Sequence, residues 1–363
     1  MITYSIIIII PFILAHLDIK LYKNEKFKLD ILWISYLLFS LFIFGTRYQI
    51  GGDWNNYYAA FLSISDPTLT EQMSPGFNPN RIELSNYEDS LIFYLLNVVI
   101  KYLFNSFVIF NLICSVIFIY SINKFCKILN SAKYLVYGYF ASYLSIVVHL
   151  GYVRQSLAIS FLALAFYFYL KNKTINSFIY FLISTQTHII TASFVPLFIK
   201  LKNVYLIITF LLLGIILLIF AWDKIYLYYY YYLGEGVHFQ SRGSYARIFL
   251  NIPFFWIFFL LRKQLKISKK EYLFFKINLL ILILSIFFLL IDKTTLADRV
   301  ALQLILFQGY TIGKIFNNLR INFLKNIFIS LTFILTFSQF LVWRFFSNFQ
   351  DSWIPYKNII FAQ

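Results

Sequence analysis

Residues 2–17 read ITYSIIIIIPFILAHL, an almost wholly apolar stretch with five consecutive isoleucines from Ile6 to Ile10. Its length approaches the roughly 20 apolar residues that an α-helix needs to cross a bilayer. The whole chain shares this character, because 61% of its 363 residues are apolar and only 13% are charged. Soluble domains are about 45–50% apolar and about 25% charged. We therefore predict an all-α polytopic membrane protein.

The first segment has neither a basic region nor a small-residue cleavage site, so we expect a retained helix rather than a cleaved signal peptide. Further apolar segments lie near residues 29–46, 90–104, 107–123, 133–149, 155–170, 175–199, 203–221, 246–262, 272–291, 299–317 and 322–345. Some are shorter than a full span, so we predict about 11–13 transmembrane or re-entrant helices. No Pro-, Gly- or Ser-rich linker divides them, which favours a single integral membrane domain over residues 1–363.

Basic residues sort the loops between these segments. Loops rich in lysine and arginine stay in the cytoplasm, and here they hold Lys20, Lys23, Lys26, Lys28, Arg262, Lys263, Lys266, Lys269, Lys270, Lys314, Arg320 and Lys325. The other face receives a first outer loop at 47–89, a second outer loop at 222–245 and an outer C-terminal tail at 346–363. Both termini then lie outside. Topology explains most of the net charge of +16, so nucleic acid is not an expected partner.

Two apolar segments do not fit simple crossings. The lysine loops at 124–133 and 171–173 both look cytoplasmic. The chain between the first outer loop and residue 124 would then cross the membrane only once in net terms, although it contains two apolar segments. We therefore expect 90–104 to be an interfacial or re-entrant helix. The segment 175–199 also has lysines at both ends, so we expect a hairpin with His188 near its tip.

The first outer loop opens with RYQIGGDWNNYY at residues 47–58. Arg47 is suited to clamp a phosphate, and Asp53 to orient a hydroxyl or accept its proton. The glycine pair between them permits a tight turn close to a ligand. Candidates to stack on sugar rings are Trp54, Tyr57 and Tyr58. The alternative is an interfacial aromatic belt with a structural pair of Arg47 and Asp53.

A second polar stretch, HLGYVRQ at residues 149–155, lies at the predicted outer ends of two helices. Arg154 is suited to a lipid-linked phosphate and Gln155 to a sugar, or Arg154 extends to lipid headgroups. His149 alone is more typical of a packed, hydrogen-bonded histidine. His188 lies among polar side chains in an apolar segment, which is costly in lipid. It is a candidate catalytic residue, or part of a hydrogen-bond network between helices.

Arginine concentrates on the predicted outer face, where positive charge is otherwise scarce. They include Arg47, Arg154, Arg242, Arg247 and Arg299. A diphosphate is the natural ligand for such a group, although Asp298 offers Arg299 a local ion pair. In the tail, Tyr356 is a further candidate for sugar binding or an interfacial anchor.

Several catalytic motifs are missing from the sequence, which has no Walker loop, no HExxH and no nucleophile elbow. Cys114 and Cys126 fall in or beside one apolar segment, so we expect free thiols and no metal site. We therefore expect neither a cofactor nor a metal. An enzyme of this kind would act by positioning and charge stabilisation, with Asp53, Arg154 and His188 as catalytic candidates.

These stretches resemble the bacterial O-antigen polymerases (Wzy), and particularly the EpsG-like branch of polysaccharide polymerases. The resemblance rests on Arg47 before Gly-Gly-Asp-Trp-x-x-Tyr, Arg154-Gln155 before Ser-Leu-Ala, His188 with Pro196 downstream, and Trp353-x-Pro-Tyr-Lys. These features extend over residues 47–357. The resemblance implies a membrane glycosyltransferase with a GT-C-like architecture and no metal requirement.

The resemblance also implies a location and a substrate. Such proteins lie in the bacterial inner membrane and act at its outer leaflet. They join oligosaccharide repeat units, carried on undecaprenyl diphosphate, into O-antigen or a related surface polysaccharide. The implied partners are these lipid-linked donors and acceptors, membrane lipids and a chain-length regulator. Three alternatives stay open: a flippase or exporter of lipid-linked oligosaccharide, a polysaccharide O-acyltransferase, and a non-catalytic scaffold.

Overall fold

The computed structural model describes residues 2–20, 26–64, 90–198, 241, 243–347 and 350–360. Within these ranges the regular elements are helices, and no strand forms. The α-helices are α1 (Ile2–Lys20), α2 (Lys26–Gly45), α3 (Trp54–Ser63), α4 (Leu91–Phe104), α5 (Phe107–Cys126), α6 (Lys133–Phe140), α7 (Val153–Leu170), α8 (Thr174–Thr187), α9 (Val195–Phe198), α10 (Ser244–Phe249), α11 (Asn251–Leu261), α12 (Lys269–Leu290), α13 (Thr294–Leu302), α14 (Ile305–Asn318) and α15 (Asn322–Phe346). A π-helix, Ala141–His149, continues α6.

Seven helical stretches in the described residues are long and apolar enough to cross a membrane. One of them, Phe107–His149, has 43 residues. At about 1.5 Å per residue this is roughly twice the ~30 Å thickness of a hydrocarbon core. Asn130 breaks the stretch with a positive φ of 46°, so α5 and α6 form two passes joined by a tight turn. The predicted all-α polytopic membrane fold is confirmed.

The helices follow the predicted apolar segments, with two departures. The predicted first outer loop contains α3, which begins directly after Asp53. The segment 299–317 is interrupted before Ile305, a break that composition does not reveal because the residues on both sides are largely apolar. The segment 175–199 breaks at His188, near the predicted tip of a hairpin, and the extended backbone there separates α8 from a short 3₁₀ helix.

The helices form two compact units, of which the first contains residues 1–191 and 309–363. In its described part, α1 packs against α6 and α15, while α5 packs against both α2 and α7. Aromatic side chains fill much of its interior, including Tyr36 and Tyr137, whose ring centroids lie 5.9 Å apart. Aromatic pairs of this kind contribute about 0.5–1.5 kcal/mol each beyond their area burial.

α7 and α8 are an antiparallel pair with a fixed register. Ser177 Oγ donates to Ala165 O (2.9 Å), and Ser184 Oγ donates to Ala158 O (2.7 Å). The two contacts are seven residues apart on each helix. Residue numbers rise along α8 where they fall along α7, so the two helices are antiparallel. The end of α8 therefore lies beside the start of α7.

Polar residues distinguish two ends of this first unit. At the lysine end, which holds Asp30 and Lys133, the two side chains pair at 3.1 Å. At the arginine end lie Arg47, Arg154 and the tail at residues 350–360. Because α2 and α6 each run from one end to the other, the lysine-rich loops beside them are separated from the arginine-bearing segments. Which of the two ends faces the cytoplasm stays a prediction.

α4 lies across the arginine end rather than through the unit. Ser90, which precedes α4, accepts a hydrogen bond from Arg154 (3.2 Å). Just beyond the other end of α4, Phe107 packs against Trp54 with ring centroids 5.6 Å apart. Both ends of this 14-residue helix therefore meet the same face. This geometry agrees with the interfacial or re-entrant helix expected at 90–104.

The second unit contains residues 192–308. In its described part, α10 and α12 pack against α13 and against each other. Stacked aromatic rings fill its interior. A buried hydrogen bond from Gln308 Nε2 to Asn251 Oδ1 (2.7 Å) joins α14 to α11. The predicted apolar segment at 203–221 lies outside the described residues.

The placement of α4 can be tested by cysteine labelling. We predict that Ser106→Cys, between α4 and α5, and Asn55→Cys, on α3, react with a membrane-impermeant maleimide from one side of the membrane. Ser131→Cys, at the lysine end, should react only from the other side. The native Cys114 and Cys126 are buried and should contribute little background. If Asn55→Cys and Ser106→Cys reacted from opposite sides, α4 would have to cross the membrane.

Candidate functional site

Three segments that are far apart in the sequence meet at the arginine end, and they are residues 46–54, 149–154 and 350–360. Backbone hydrogen bonds join them. Gly51 N donates to Ser352 O (2.8 Å), and Asp53 N donates to Gly151 O (3.3 Å). The three polar stretches singled out in the sequence therefore form one structural element.

The tail is also attached to the end of α2. Arg47 and Asn358 form an isolated antiparallel bridge, next to which Ile359 N donates to Thr46 O (2.9 Å). Tyr356 is half-buried, and its Oη donates to Ile43 O (2.8 Å). Burial raises the pKa of Tyr356, so its phenol stays protonated and able to donate at neutral pH. The hydroxyl predicted to bind a sugar instead anchors the tail.

Glycines permit this close approach of backbones. Gly51 has a φ of +105°, which other residues rarely adopt, and it faces the backbone of Gly151. Gly151 in turn lies against the indole of Trp353, so that a Cβ there would overlap the ring. Trp353 is 1% exposed, its Nε1 donates to Ile146 O (3.1 Å), and its carbonyl accepts from Tyr4 Oη (2.7 Å). The tail therefore occupies a fitted position.

Arg47 lies inside this element rather than on its surface. Its side chain is 2% exposed, Nη1 donates to Phe44 O (2.6 Å), and Nη2 donates to Asn111 Oδ1 (2.8 Å). Burial lowers the pKa of Arg47 to about 10, so the guanidinium stays charged at neutral pH. The predicted phosphate clamp does not fit this burial. The alternative pair with Asp53 does not form either, because neutral oxygens engage both terminal nitrogens.

Buried polar groups continue from Asn111 towards the π-helix. Ser115 Oγ donates to Asn111 O (2.7 Å), so its oxygen accepts from His149 Nε2 (3.0 Å). His149 Nδ1 then accepts from Ser156 Oγ (2.8 Å), and the ring stacks on Phe118 at 4.2 Å. Both ring nitrogens are thus engaged in the packed, hydrogen-bonded histidine expected at this position.

The aromatic side chains that follow Asp53 pack mainly on one another. Trp54 is buried, stacks on Tyr58 at 5.0 Å and meets Phe107 edge-on at 5.6 Å. Trp54 is therefore a core residue, which corrects its predicted role as a sugar platform. Tyr57 and Tyr58 are half-buried, as is Asp53. Tyr57 Oη donates to Asp53 Oδ2 (3.4 Å) and so orients the carboxylate.

Arg154 lies in the first turn of α7 and is half-buried, as is its neighbour Gln155. Arg154 Nη1 donates to Ser90 Oγ (3.2 Å). Ser90 is the N-cap residue of α4, but its side chain does not cap the helix. The guanidinium therefore lies beside the positive end of a helix dipole, and both features favour an anion.

His188 comes level with Arg154 in the register of α7 and α8. Four residues separate each of them from the contact of Ser184 with Ala158. The His188 side chain is 8% exposed, and its Nδ1 accepts the backbone N–H of Ile190 (3.4 Å). The structure thus brings Asp53, Arg154 and His188 to the same end of the first unit.

The other predicted arginines lie in the second unit or outside the described residues. Arg247 forms a two-bond ion pair with Asp298, with Nε–Oδ1 and Nη2–Oδ2 distances of 2.6 Å, and also donates to Ser241 (2.7 Å). Asp298 therefore neutralises Arg247. This links α10 to α13 and leaves Arg247 poorly suited to a diphosphate. Arg299 is half-buried on α13, and Arg242 is outside the described residues.

Residues without a predicted role turn out to be central here. Gly151 and Trp353 stood within the quoted stretches, but nothing local indicates that they touch. Asn111 could have been found, since it is a polar residue inside an apolar segment. Among the described residues, no group of three or more His, Cys, Asp or Glu side chains could hold a metal ion.

The support of Arg47 by Asn111 can be tested by stability. Asn111→Ala removes a charge-assisted hydrogen bond and should lower the free energy of unfolding by about 1.5–3 kcal/mol. Asn123→Ala on the same helix is the matched control, because Asn123 accepts a neutral bond from Trp33 (3.2 Å) worth about 0.5–1.5 kcal/mol. Thermal unfolding of the purified variants measures both. Equal losses of unfolding free energy in the two variants would mean that the bond between Arg47 and Asn111 contributes no more than the neutral bond between Trp33 and Asn123.

Comparison with known proteins adds a family to this geometry. No curated protein matches the chain, and no solved structure matches it. The family model of the EpsG family matches residues 30–358, which include the first two converging segments and the third as far as Asn358. The chain belongs to the EpsG family.

Proposed function

We propose that the chain polymerises oligosaccharide repeat units carried on a lipid diphosphate, at the arginine end of its first unit. Membership of the EpsG family indicates a polysaccharide polymerase-like function. The observation that carries the finer proposal is the convergence of Asp53, Arg154 and the C-terminal tail. A single end of the molecule thus offers a carboxylate and a cation that are both partly accessible.

The proposed reaction is transfer of a glycan to a hydroxyl. The bond between the anomeric carbon of the donor glycan and its diphosphate oxygen breaks, and the electron pair leaves with the diphosphate. The oxygen of an acceptor sugar hydroxyl forms the new bond to that carbon, and a base takes the hydroxyl proton. Such a step needs charge stabilisation on one side and hydroxyl orientation on the other.

The described residues suit these two tasks. Arg154 is proposed to stabilise the leaving diphosphate, because it lies beside the positive end of α4. Asp53 is proposed to orient the acceptor hydroxyl or take its proton, and His188 is the second candidate for this role. Proposed sugar contacts are Tyr57, Tyr58 and Gln155. Arg47 and Trp54 are proposed to support the site from its buried side. Diphosphate binding by Arg242 and Arg299 stays a prediction.

The arginine end is proposed to face the outer leaflet of the bacterial inner membrane, because the lysine end carries the positive loops. Both termini are then periplasmic. The proposed donor and acceptor are undecaprenyl-diphosphate-linked oligosaccharides, and the product is O-antigen or a related surface polysaccharide. Membrane lipids and a chain-length regulator are proposed further partners.

A complementation experiment tests this function. In a strain that lacks the gene, Arg154→Gln and Asp53→Asn should leave material capped with single repeat units on a gel of surface polysaccharide. Loss of one charge-stabilising donor lowers a rate by about 100- to 1000-fold. Matched controls are Asp292→Asn and Arg320→Gln, which change exposed side chains outside the three converging segments and should restore the full ladder.

The result also separates the alternatives. A flippase or exporter predicts that the deletion strain has no surface repeat units at all. An O-acyltransferase predicts a normal ladder of altered mass. Normal long-chain polymer in both Arg154→Gln and Asp53→Asn would overturn the assignment of the site.

A further inference from the structure

We propose that the C-terminal tail is part of the reaction site and that Trp353 is a positioning residue. This inference rests on the proposed function, because it concerns how Asp53 and Arg154 are held for that reaction. Trp353 reaches neither reacting group directly. It acts through the two backbone segments that carry them.

One edge of the indole packs against both segments. Its Cη2 comes within 3.5 Å of the position that a Cβ on Gly52 would take, one residue before Asp53. The same edge presses against Gly151, and the ring centroid lies 5.8 Å from that of Tyr152. Tyr152 is followed after one residue by Arg154. The ring therefore supports the carboxylate segment and the arginine segment where the bond from Asp53 N to Gly151 O joins them.

The ring is itself held from three directions. Nε1 donates to Ile146 O in the π-helix (3.1 Å). The Trp353 carbonyl accepts from Tyr4 on α1 (2.7 Å), and Trp343 on α15 meets the indole edge-on at 5.5 Å. Because these partners lie on packed helices, they hold Trp353 in place. The ring in turn positions the two short segments that carry Asp53 and Arg154.

Removing the ring would leave a void beside two backbones that glycines already make adaptable. The turn at Gly51 and Gly52 and the start of α7 could then shift into that void. A displacement of about 1 Å at reacting groups lowers a rate by about 100-fold. Gly51 N would keep its bond to Ser352 O, so the tail should stay attached while the spacing changes.

Kinetics on the purified full-length chain in lipid nanodiscs test this inference. The substrate is the lipid-linked repeat unit that accumulates in a strain lacking the gene. We expect Trp353→Ala to lower kcat about 100-fold with a much smaller change in KM. Trp353→Phe keeps an aromatic ring against both segments and should recover most of this loss.

Trp33→Ala is the matched control for loss of a buried tryptophan. Trp33 is also almost fully buried, and its Nε1 also makes one hydrogen bond, to Asn123 near the lysine end. We expect it to destabilise the chain without lowering kcat per folded molecule. Equal losses of kcat in Trp33→Ala and Trp353→Ala would reduce Trp353 to a structural role and overturn the inference.

A double variant provides the second test. If Trp353 acts through Asp53, then Trp353→Ala should slow Asp53→Asn little further, since coupled residues are not additive. Losses that multiply would contradict the inference. A wild-type chain that does not extend the repeat units overturns the proposed function and this inference with it. An active wild type with a fully active Trp353→Ala overturns only the inference.

Discussion

The contact of the Trp353 indole with Gly151 sets the geometry of the arginine end. Trp353 bonds to Ile146, which lies 207 positions earlier in the chain, and a side chain at Gly151 would overlap the ring. The same tail accepts the Gly51 N–H, so the turn before Asp53 and the start of α7 are both positioned by it. This long-range contact holds the last described residues at the arginine end, where the polar motifs meet.

Charge at this end is arranged in two layers. Arg47 is buried and bonded to neutral oxygens, a costly arrangement that persists because Phe44 and Asn111 both present an acceptor to it. Arg154 is partly accessible and lies beside the start of α4. The buried charge of Arg47 organises hydrogen bonds inside the element, while the partly accessible charge of Arg154 can contact a ligand. An anion that approaches the arginine end would meet cationic groups there, while the lysine-rich loops lie at the opposite end of the unit.

The membrane fold could be predicted from the sequence because apolar length and lysine position are properties of single segments. The motifs around Asp53 and Arg154 were also visible, since polar groups in lipid are costly. Which polar group meets which was not visible, because partners such as Arg47 with Asn111 and Arg247 with Asp298 are separated by 64 and 51 positions. For the same reason the burial of Trp54, the extended backbone at His188 and the role of Trp353 required coordinates.

A structure of the full-length chain with its lipid-linked repeat unit bound would test the site most directly. We expect the diphosphate beside the Arg154 guanidinium and an acceptor sugar near Asp53, with Trp353 still packed on Gly151. A diphosphate bound at the lysine end, or a ligand that displaces the C-terminal tail from the arginine end, would contradict this assignment.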